Sequence, residues 1–315
     1  MAPEAGGAER HVFGPVPSRR LGRSLGVDLV PYKVCSLDCV YCQVGRTTDK
    51  TLDQRDFVPV DVLVDEVVAL LRGCPRPDYI TLAGSGEPTL YRDLGILIDR
   101  LHAATDVPVA VLTNGTLFWK PEVREACARA DLVLPSLDAG DAETFERINR
   151  PADGLTFDRL MAGLIAFRKA FDGEIWLEVF LVRGLNDAPE QIERIADQAA
   201  RIRPDRIQLN TAVRPTADPE VAALDAAALE SVAERFTPRA EVIADFKPKS
   251  AEGGLSVKPE ELLDMIRRRP VTADDIAEGK GLSKQEVAEH LRALLDRGMI
   301  VHEPRGDRVF YRARS

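Results

Sequence analysis

The stretch KVCSLDCVYCQVG gathers three of the chain's five cysteines, Cys35, Cys39 and Cys42, into eight residues. Thiols this close in one short loop can wrap a single metal centre. Zinc in a structural site closes a tetrahedron with four protein ligands, and a ferredoxin-type cluster also takes four thiolates. Three is one short of either. If each cysteine binds one iron of a [4Fe-4S] cluster, the fourth iron is left open to a small molecule. Two other readings stand beside this one: a zinc site completed by Cys74, Cys127 or one of the four histidines, and plain reduced surface thiols.

The elements that must position these thiols are legible as a pattern. From about residue 24, short β-branched runs alternate with amphipathic helical segments, which is how βα units with a parallel sheet read. The strand candidates are SLGVDLVP, DYITLAG, VPVAVLT, DLVLPSLD, EIWLEVFLVR and PDRIQLN, with AEVIADF as a seventh. Between them, VDVLVDEVVALLRG, YRDLGILIDRLHAAT, TFDRLMAGLIAFRKAF and PEQIERIADQAARI repeat apolar residues at helical spacing. Six units can close a partial (βα)6 barrel of the TIM kind, with an open doubly wound sheet as the rival. The expected division is an N-terminal segment 1–23, a barrel 24–246, a linker 247–257 and a small domain 258–315. The linker KPKSAEGGLSV lacks periodicity. The small domain reads helix, helix, capped helix and hairpin, with Ser283 and Glu286 at capping-box spacing and a turn at Arg305, Gly306 and Asp307. That is the order of a winged helix-turn-helix.

Composition narrows the setting. The 315 residues are 45% hydrophobic and 30% charged, enough for a large core and a small one and against extensive disorder. The opening MAPEAGGAERHVFG lacks the apolar core of a secretory signal, and no run is long and apolar enough to cross a bilayer. The expected location is therefore cytoplasmic, with no membrane partner. There thiols stay reduced, which favours metal or redox chemistry over disulfides. The net charge of −9 gives no overall signature of nucleic-acid binding. Residues 258–315 carry 12 basic and 11 acidic residues against 30 and 40 in the rest, so the tail is only relatively basic.

C-x-x-x-C-x-x-C after the first strand of a βα series resembles the radical S-adenosylmethionine (SAM) superfamily over roughly Gly14 to Phe246. The resemblance implies a [4Fe-4S] cluster held by Cys35, Cys39 and Cys42, SAM at the open iron, and an external reductant such as a flavodoxin or ferredoxin. It implies reductive cleavage of SAM to a 5′-deoxyadenosyl radical that abstracts hydrogen from a substrate. Tyr41 falls where the superfamily often has an aromatic near the adenine. Ser85, Gly86 and Glu87, in AGSGEPTL, resemble its G-G-E element, with Glu87 as an acceptor for the SAM ammonium. Ser136 and Asp138, two apart and so expected on one face of the fourth strand, can hold the ribose hydroxyls or the amino-acid end of SAM. Asn114 and Asn210 close the third and sixth strands at the expected rim. Each of these positions also has an ordinary structural reading as turn chemistry or core filling.

FGPVPSRRLGRSLGVDLVPYKVCSLDCVYCQVGRTT, ETFERINRP and QLNTAVRP look like the subgroup related to wyosine-synthesis enzymes, which admits tRNA or another RNA as substrate. Cys74 and Cys127 are too few to build that group's second, three-cysteine cluster. They read as hydrogen donors to a substrate radical or, more simply, as buried fillers. Arg19, Arg20 and Arg23 can clamp a phosphate or carboxylate, or pair with acidic helix ends. Two other functional classes compete: an iron-sulfur-sensing regulator whose winged helix binds operator DNA, and a zinc-stabilised scaffold.

Overall fold

The computed structural model describes residues 10–18, 20–244, 259–268, 270–280, 282–305 and 308–314. The chain opens with an antiparallel hairpin, β1 (Val12–Ser18) and β2 (Gly22–Asp28), followed by a two-residue pair, β3 (Val34–Cys35) and β4 (Asp49–Lys50). Then come α1 (Val60–Leu71), β5 (Tyr79–Ala83), α2 (Leu94–Ala104), β6 (Val109–Thr113), α3 (Pro121–Cys127) and β7 (Leu132–Pro135). The series continues with α4 (Ala142–Asn149), α5 (Phe157–Ala170), β8 (Glu174–Leu181), α6 (Pro189–Ile202), β9 (Arg206–Thr211), α7 (Ala226–Ala233) and β10 (Glu241–Val242).

Among the described residues the main sheet has eight strands, ordered β1-β2-β5-β6-β7-β8-β9-β10, and from β2 onward every neighbouring pair is parallel. A doubly wound sheet reverses its strand order at a switch point. This order never reverses, so the sheet winds one way, as in a partial barrel, and the rival arrangement is set aside. The expected seventh strand is present as β10.

Alternation along each strand divides the sheet into two faces. On β8, Ile175, Leu177, Val179 and Leu181 join the large core shared with the helices, while Trp176, Glu178 and Phe180 point the other way. Leu21, Ala110, Leu132, Leu134 and Trp176 form a small apolar cluster on that inner face. The helices supply matching stripes: α6 starts at Pro189, whose missing N–H is no loss there, and buries Ile192, Ile195, Ala199 and Ile202.

The sequence division at 23/24 falls inside β2, because β1 belongs to the same sheet. Its strand signal is broken by Gly14, Pro15 and Pro17, and an edge strand with a register shift between Phe13 and Val16 tolerates these residues. The short helices α3, α4 and α7 were not anticipated.

The C-terminal part comprises α8 (Pro259–Arg268), β11 (Val271–Thr272), α9 (Ala273–Lys280), α10 (Lys284–Asp296), β12 (Ile300–Arg305) and β13 (Arg308–Ala313). Its sheet is antiparallel, ordered β11-β13-β12, over a core of its own that includes Leu262, Ile266, Val287, Leu291 and Ile300. The capping box is present: Ser283 Oγ accepts from Glu286 N at 3.2 Å and Glu286 Oε2 accepts from Ser283 N at 2.8 Å. Arg305 ends β12 and pairs with Arg308 rather than lying in the turn. Gly306 and Asp307, the linker 247–257 and Arg19 lie outside the described residues.

The segment after β9 joins the two parts. Arg214, 4% exposed, pairs with Asp275 at 3.2 Å, and Arg305 donates to the carbonyls of Arg214 and Val221 at 2.8 and 2.6 Å. Among the described residues no helix is long and apolar enough to cross a membrane.

Candidate active site

Strand β2 leads into the loop that carries the thiols, and the ends of β5 to β8 face it. Cys35, Cys39 and Cys42 are free of disulfides and line one cavity of about 210 Å³ with Lys33, Gly86, Glu87, Thr113, Asn114 and Ser136. Leu112 and Leu134 give its lining an apolar portion, and Arg20 and Glu178 a charged one, bonded at 2.9 Å. The Arg20–Glu178 pair continues to Asn210, whose Nδ2 donates to Glu178 Oε1 at 2.8 Å.

Each sulfur accepts one side-chain hydrogen bond. Asn114 Nδ2 lies 3.6 Å from Cys35 Sγ, Asn149 Nδ2 is 3.4 Å from Cys39 Sγ, and Lys33 Nζ is 3.1 Å from Cys42 Sγ. Burial, reinforced by the charge of Glu87, pushes the Cys35 thiol up to about 12, and burial beside Asp138 also raises Cys39. Such thiols keep their protons until a metal displaces them. Burial pulls the Lys33 pKa down, but the Cys42, Cys35 and Cys39 sulfurs outweigh it and leave it raised.

Glu87 is the structural pin of the mouth. It is 2% exposed and accepts from Thr89 N, Thr89 Oγ1 and Thr113 Oγ1 through Oε1 and from Asn114 N through Oε2. Burial raises its pKa against those bonds. Any contact to a ligand ammonium is additional to these four. Beside it, a Cβ on Gly86 would fall well inside contact of the Val34 carbonyl oxygen and 2.8 Å from Val30 Cγ2. Only glycine lets the chain pass there.

Residues 29–199 match the Radical SAM superfamily, more than half of the chain and the stretch containing all three clustered thiols. The chain belongs to the radical SAM superfamily. Enzymes of this superfamily use a [4Fe-4S] cluster, SAM and a reductant. A UPF0026 protein of Helicobacter pylori is 32% identical over 304 residues, 95% of this chain and 96% of that one. A Brachyspira hyodysenteriae protein named GTPase Obg is 40% identical over 297 residues, 93% of this chain, yet the chain spans only 44% of that relative's length. An S-adenosyl-L-methionine-dependent tRNA 4-demethylwyosine synthase of Oryza sativa is 23% identical over 227 residues, 65% of this chain and 32% of that protein. The solved structure of TYW1 with a lysine-pyruvate adduct bound has a TM-score of 0.54 at 20% identity, covering 72% of this chain and 76% of that chain, a likeness of fold.

The donor set fits the radical SAM cofactors. Three unpaired thiols share one cavity, each with an N–H aimed at its sulfur, and the described cavity lining holds no fourth Cys and no His. Among the described residues no three His, Cys, Asp or Glu side chains converge on a single ion.

The remaining expected residues divide. Gly86, Glu87, Asn114 and Ser136 line the cavity, and Asn210 reaches it through Glu178. Tyr41 stacks on Phe180 at 4.1 Å and donates its hydroxyl to Asp138. Asp138 is 3% exposed, also accepts from Asn149 Nδ2 and Phe180 N at 2.9 Å each, and is raised to about 6 by burial. Ser136 still bridges Glu178 of β8 just beyond the end of β7, and it lines the cavity where Asp138 does not. Ser85 bonds Asp28 through its amide and hydroxyl at 2.6 and 3.1 Å. Arg23 is exposed, Cys74 is half-buried and Cys127 is wholly buried in the helix-facing core, none of them lining the cavity.

Sequence reasoning missed Lys33, Asn149, and Glu178 as the partner of Arg20. Two signals pointed to them. Glu178 is a charge at an alternate position inside the apolar run IWLEVFL, and Lys33 stands two residues before the first thiol.

Proposed function

We propose that the chain cleaves SAM reductively at a cluster held by Cys35, Cys39 and Cys42 and uses the resulting radical on an RNA nucleotide, with tRNA the first candidate. The observation that carries the cleavage is the shared cavity with three thiols and no fourth described ligand. The RNA substrate is supported by the likeness to the tRNA 4-demethylwyosine synthase. The wyosine reaction itself is not carried over, since Cys127 lies in the core and Cys74 stands apart from the cavity.

When bound, the cluster supplies the single electron that breaks the sulfonium bond of SAM. The chain's residues do the rest. Gly86 lets backbone line the cavity closely, and Asn114 and Glu87 fix the end of β6 against the thiol loop. Leu112 and Leu134 keep part of the lining dry, and the Arg20–Glu178 pair offers a cation and an anion to a polar substrate. A flavodoxin or ferredoxin is the proposed electron donor.

The division we propose is a barrel that takes in the hairpin from residue 12, a linker, and a winged helix-turn-helix from residue 258. The regulator reading loses support because Arg305, at the end of the wing strand β12, is bonded to barrel backbone. A wing so placed faces the barrel rather than a groove of DNA.

Anaerobic reconstitution should give about four irons per chain, and dithionite with SAM should release 5′-deoxyadenosine. Cys39→Ala should abolish both. Adding tRNA should accelerate that release and leave a modified nucleoside detectable by mass spectrometry. A loaded enzyme that never cleaves SAM refutes the reading, and stimulation by a small-molecule fraction alone refutes the RNA substrate.

A further inference from the structure

The three N–H···S contacts differ in kind. Asn114 and Asn149 are neutral amides, whereas the donor to Cys42 is the ammonium of Lys33 at 3.1 Å. Lys33 is 3% exposed, and lysine is almost never so buried without a counter-charge. Among the described residues no carboxylate forms an ion pair with it, and its ammonium is bonded to the Cys42 sulfur. Its backbone is at φ +57°, a left-handed conformation that disfavours side chains. That conformation is clamped: Lys33 N donates to Ser85 O at 2.7 Å, and Lys33 O accepts from Thr48 N and Asp49 N at 3.1 and 3.3 Å. A lysine forced into an unfavourable backbone and buried against one thiol is positioned, not incidental.

We propose that Lys33 is a positioning residue that sets the reduction potential of the cluster, its ammonium held against the Cys42 sulfur. The proposal rests on the reading of Cys35, Cys39 and Cys42 as cluster ligands. One-electron reduction adds a negative charge to the cluster, with the electron supplied by the external donor. A fixed cation in a poorly solvated site favours that reduced form, and hydrogen bonds to cluster sulfurs act in the same direction. Asn114 and Asn149 add smaller increments because they carry no net charge. Lys33 thereby makes the electron easier to load.

The test is an EPR-monitored redox titration of full-length reconstituted protein without SAM, comparing wild type, Lys33→Gln and Lys33→Arg. Lys33→Gln should lower the ratio of reduced to oxidised cluster at a fixed poise tenfold or more, which is 59 mV for a one-electron couple. Lys33→Arg, which keeps the charge, should recover most of it. Pulsed EPR on wild-type protein labelled with [15N]lysine should show a weak nitrogen coupling to the reduced cluster, a readout independent of whether any variant folds. An unchanged potential in Lys33→Gln, or no lysine coupling, overturns the proposal. So does a variant with unchanged potential and weakened SAM binding, which would make Lys33 a ligand of the SAM carboxylate. A wild type that holds no cluster sinks the reading of the cysteines instead, and a loaded wild type with indifferent variants sinks only the role of Lys33.

Discussion

At the mouth of the barrel, Lys33 is buried at a left-handed φ, Glu87 commits its carboxylate to four protein donors, and Asp138 is enclosed by Tyr41, Asn149 and Phe180. In the C-terminal part, α10 begins with a capping box and buries Val287, Leu291 and Leu294 at helical spacing over an aliphatic core. The first region is built from buried polar groups, which are unfavourable unless every one finds a partner. The second follows local propensity throughout. The difference shows where function is exacted: a chain places conformational cost where it must hold a ligand and folds cheaply elsewhere. One segment belongs to both regions. Ala217 N and Asp218 N donate to Cys42 O and Val40 O at 2.8 and 3.0 Å, while the carbonyls of Arg214 and Val221 receive Arg305. The thiol loop and the small domain therefore share a brace.

The sharpest break of that contrast is Gly86→Ala. Its new methyl meets the Val34 carbonyl, which cannot retreat without losing its bond from Glu87 N at 3.0 Å. Overpacking of this kind costs about 1–3 kcal/mol. Iron retention and SAM cleavage should fall at least tenfold, with the unfolding of the small domain unmoved. A fully active Gly86→Ala enzyme would show the mouth to be less constrained than described. Arg305→Ala acts next, on the brace. Removing two charge-assisted bonds should weaken docking by about 2 kcal/mol, read as a larger radius of gyration by X-ray scattering. An unchanged radius means that other contacts hold the small domain.

The same contrast governs what the sequence disclosed. The thiols were legible because three cysteines in eight residues are a chemical statement on their own. The capped helix α10 was legible because capping spacing and periodicity are local signals, as was α6, which ends where its stripe ends. Lys33, Asn149 and the Arg20–Glu178 pair were not, because their meaning lies in long-range proximity: Arg20 and Glu178 are 158 residues apart and Asn149 and Cys39 are 110 apart. Strand β1 was hidden by prolines that only an edge position permits.

Asp141 tests whether a helix that serves the mouth is pinned electrostatically. It caps α4, whose last residue Asn149 donates to Cys39. Burial alone would raise its pKa, but Thr144 N, the Gln191 amide and Arg194 outweigh that and bring it down to about 2. A depressed carboxylate stabilises the fold above its unfolded pKa near 4, and that stability is lost as pH falls toward 2. The shift is worth up to about 2 kcal/mol, less after allowing for solvent screening. Acid titration followed by circular dichroism should show this limb in wild type and a shallower one in Asp141→Asn.

The smallest effect is expected from Ser283→Ala, and it separates the two regions most cleanly. The hydroxyl accepts from Glu286 N and itself donates to Glu286 Oε2 at 2.8 Å, so its loss frees one backbone donor at the start of α10. An N-cap of this kind is worth about 1 kcal/mol. Because the small domain has its own core, the loss should lower only its unfolding transition. The three thiols draw their donors from Lys33, Asn114 and Asn149, none of which lies on α10, so cluster content and the rate of SAM cleavage should stay at wild-type values. If calorimetry instead found one transition that moved as a whole, the brace at residues 214–221 would couple the two cores more tightly than their separate packing implies, and the mouth could not be treated as independent of the domain beside it.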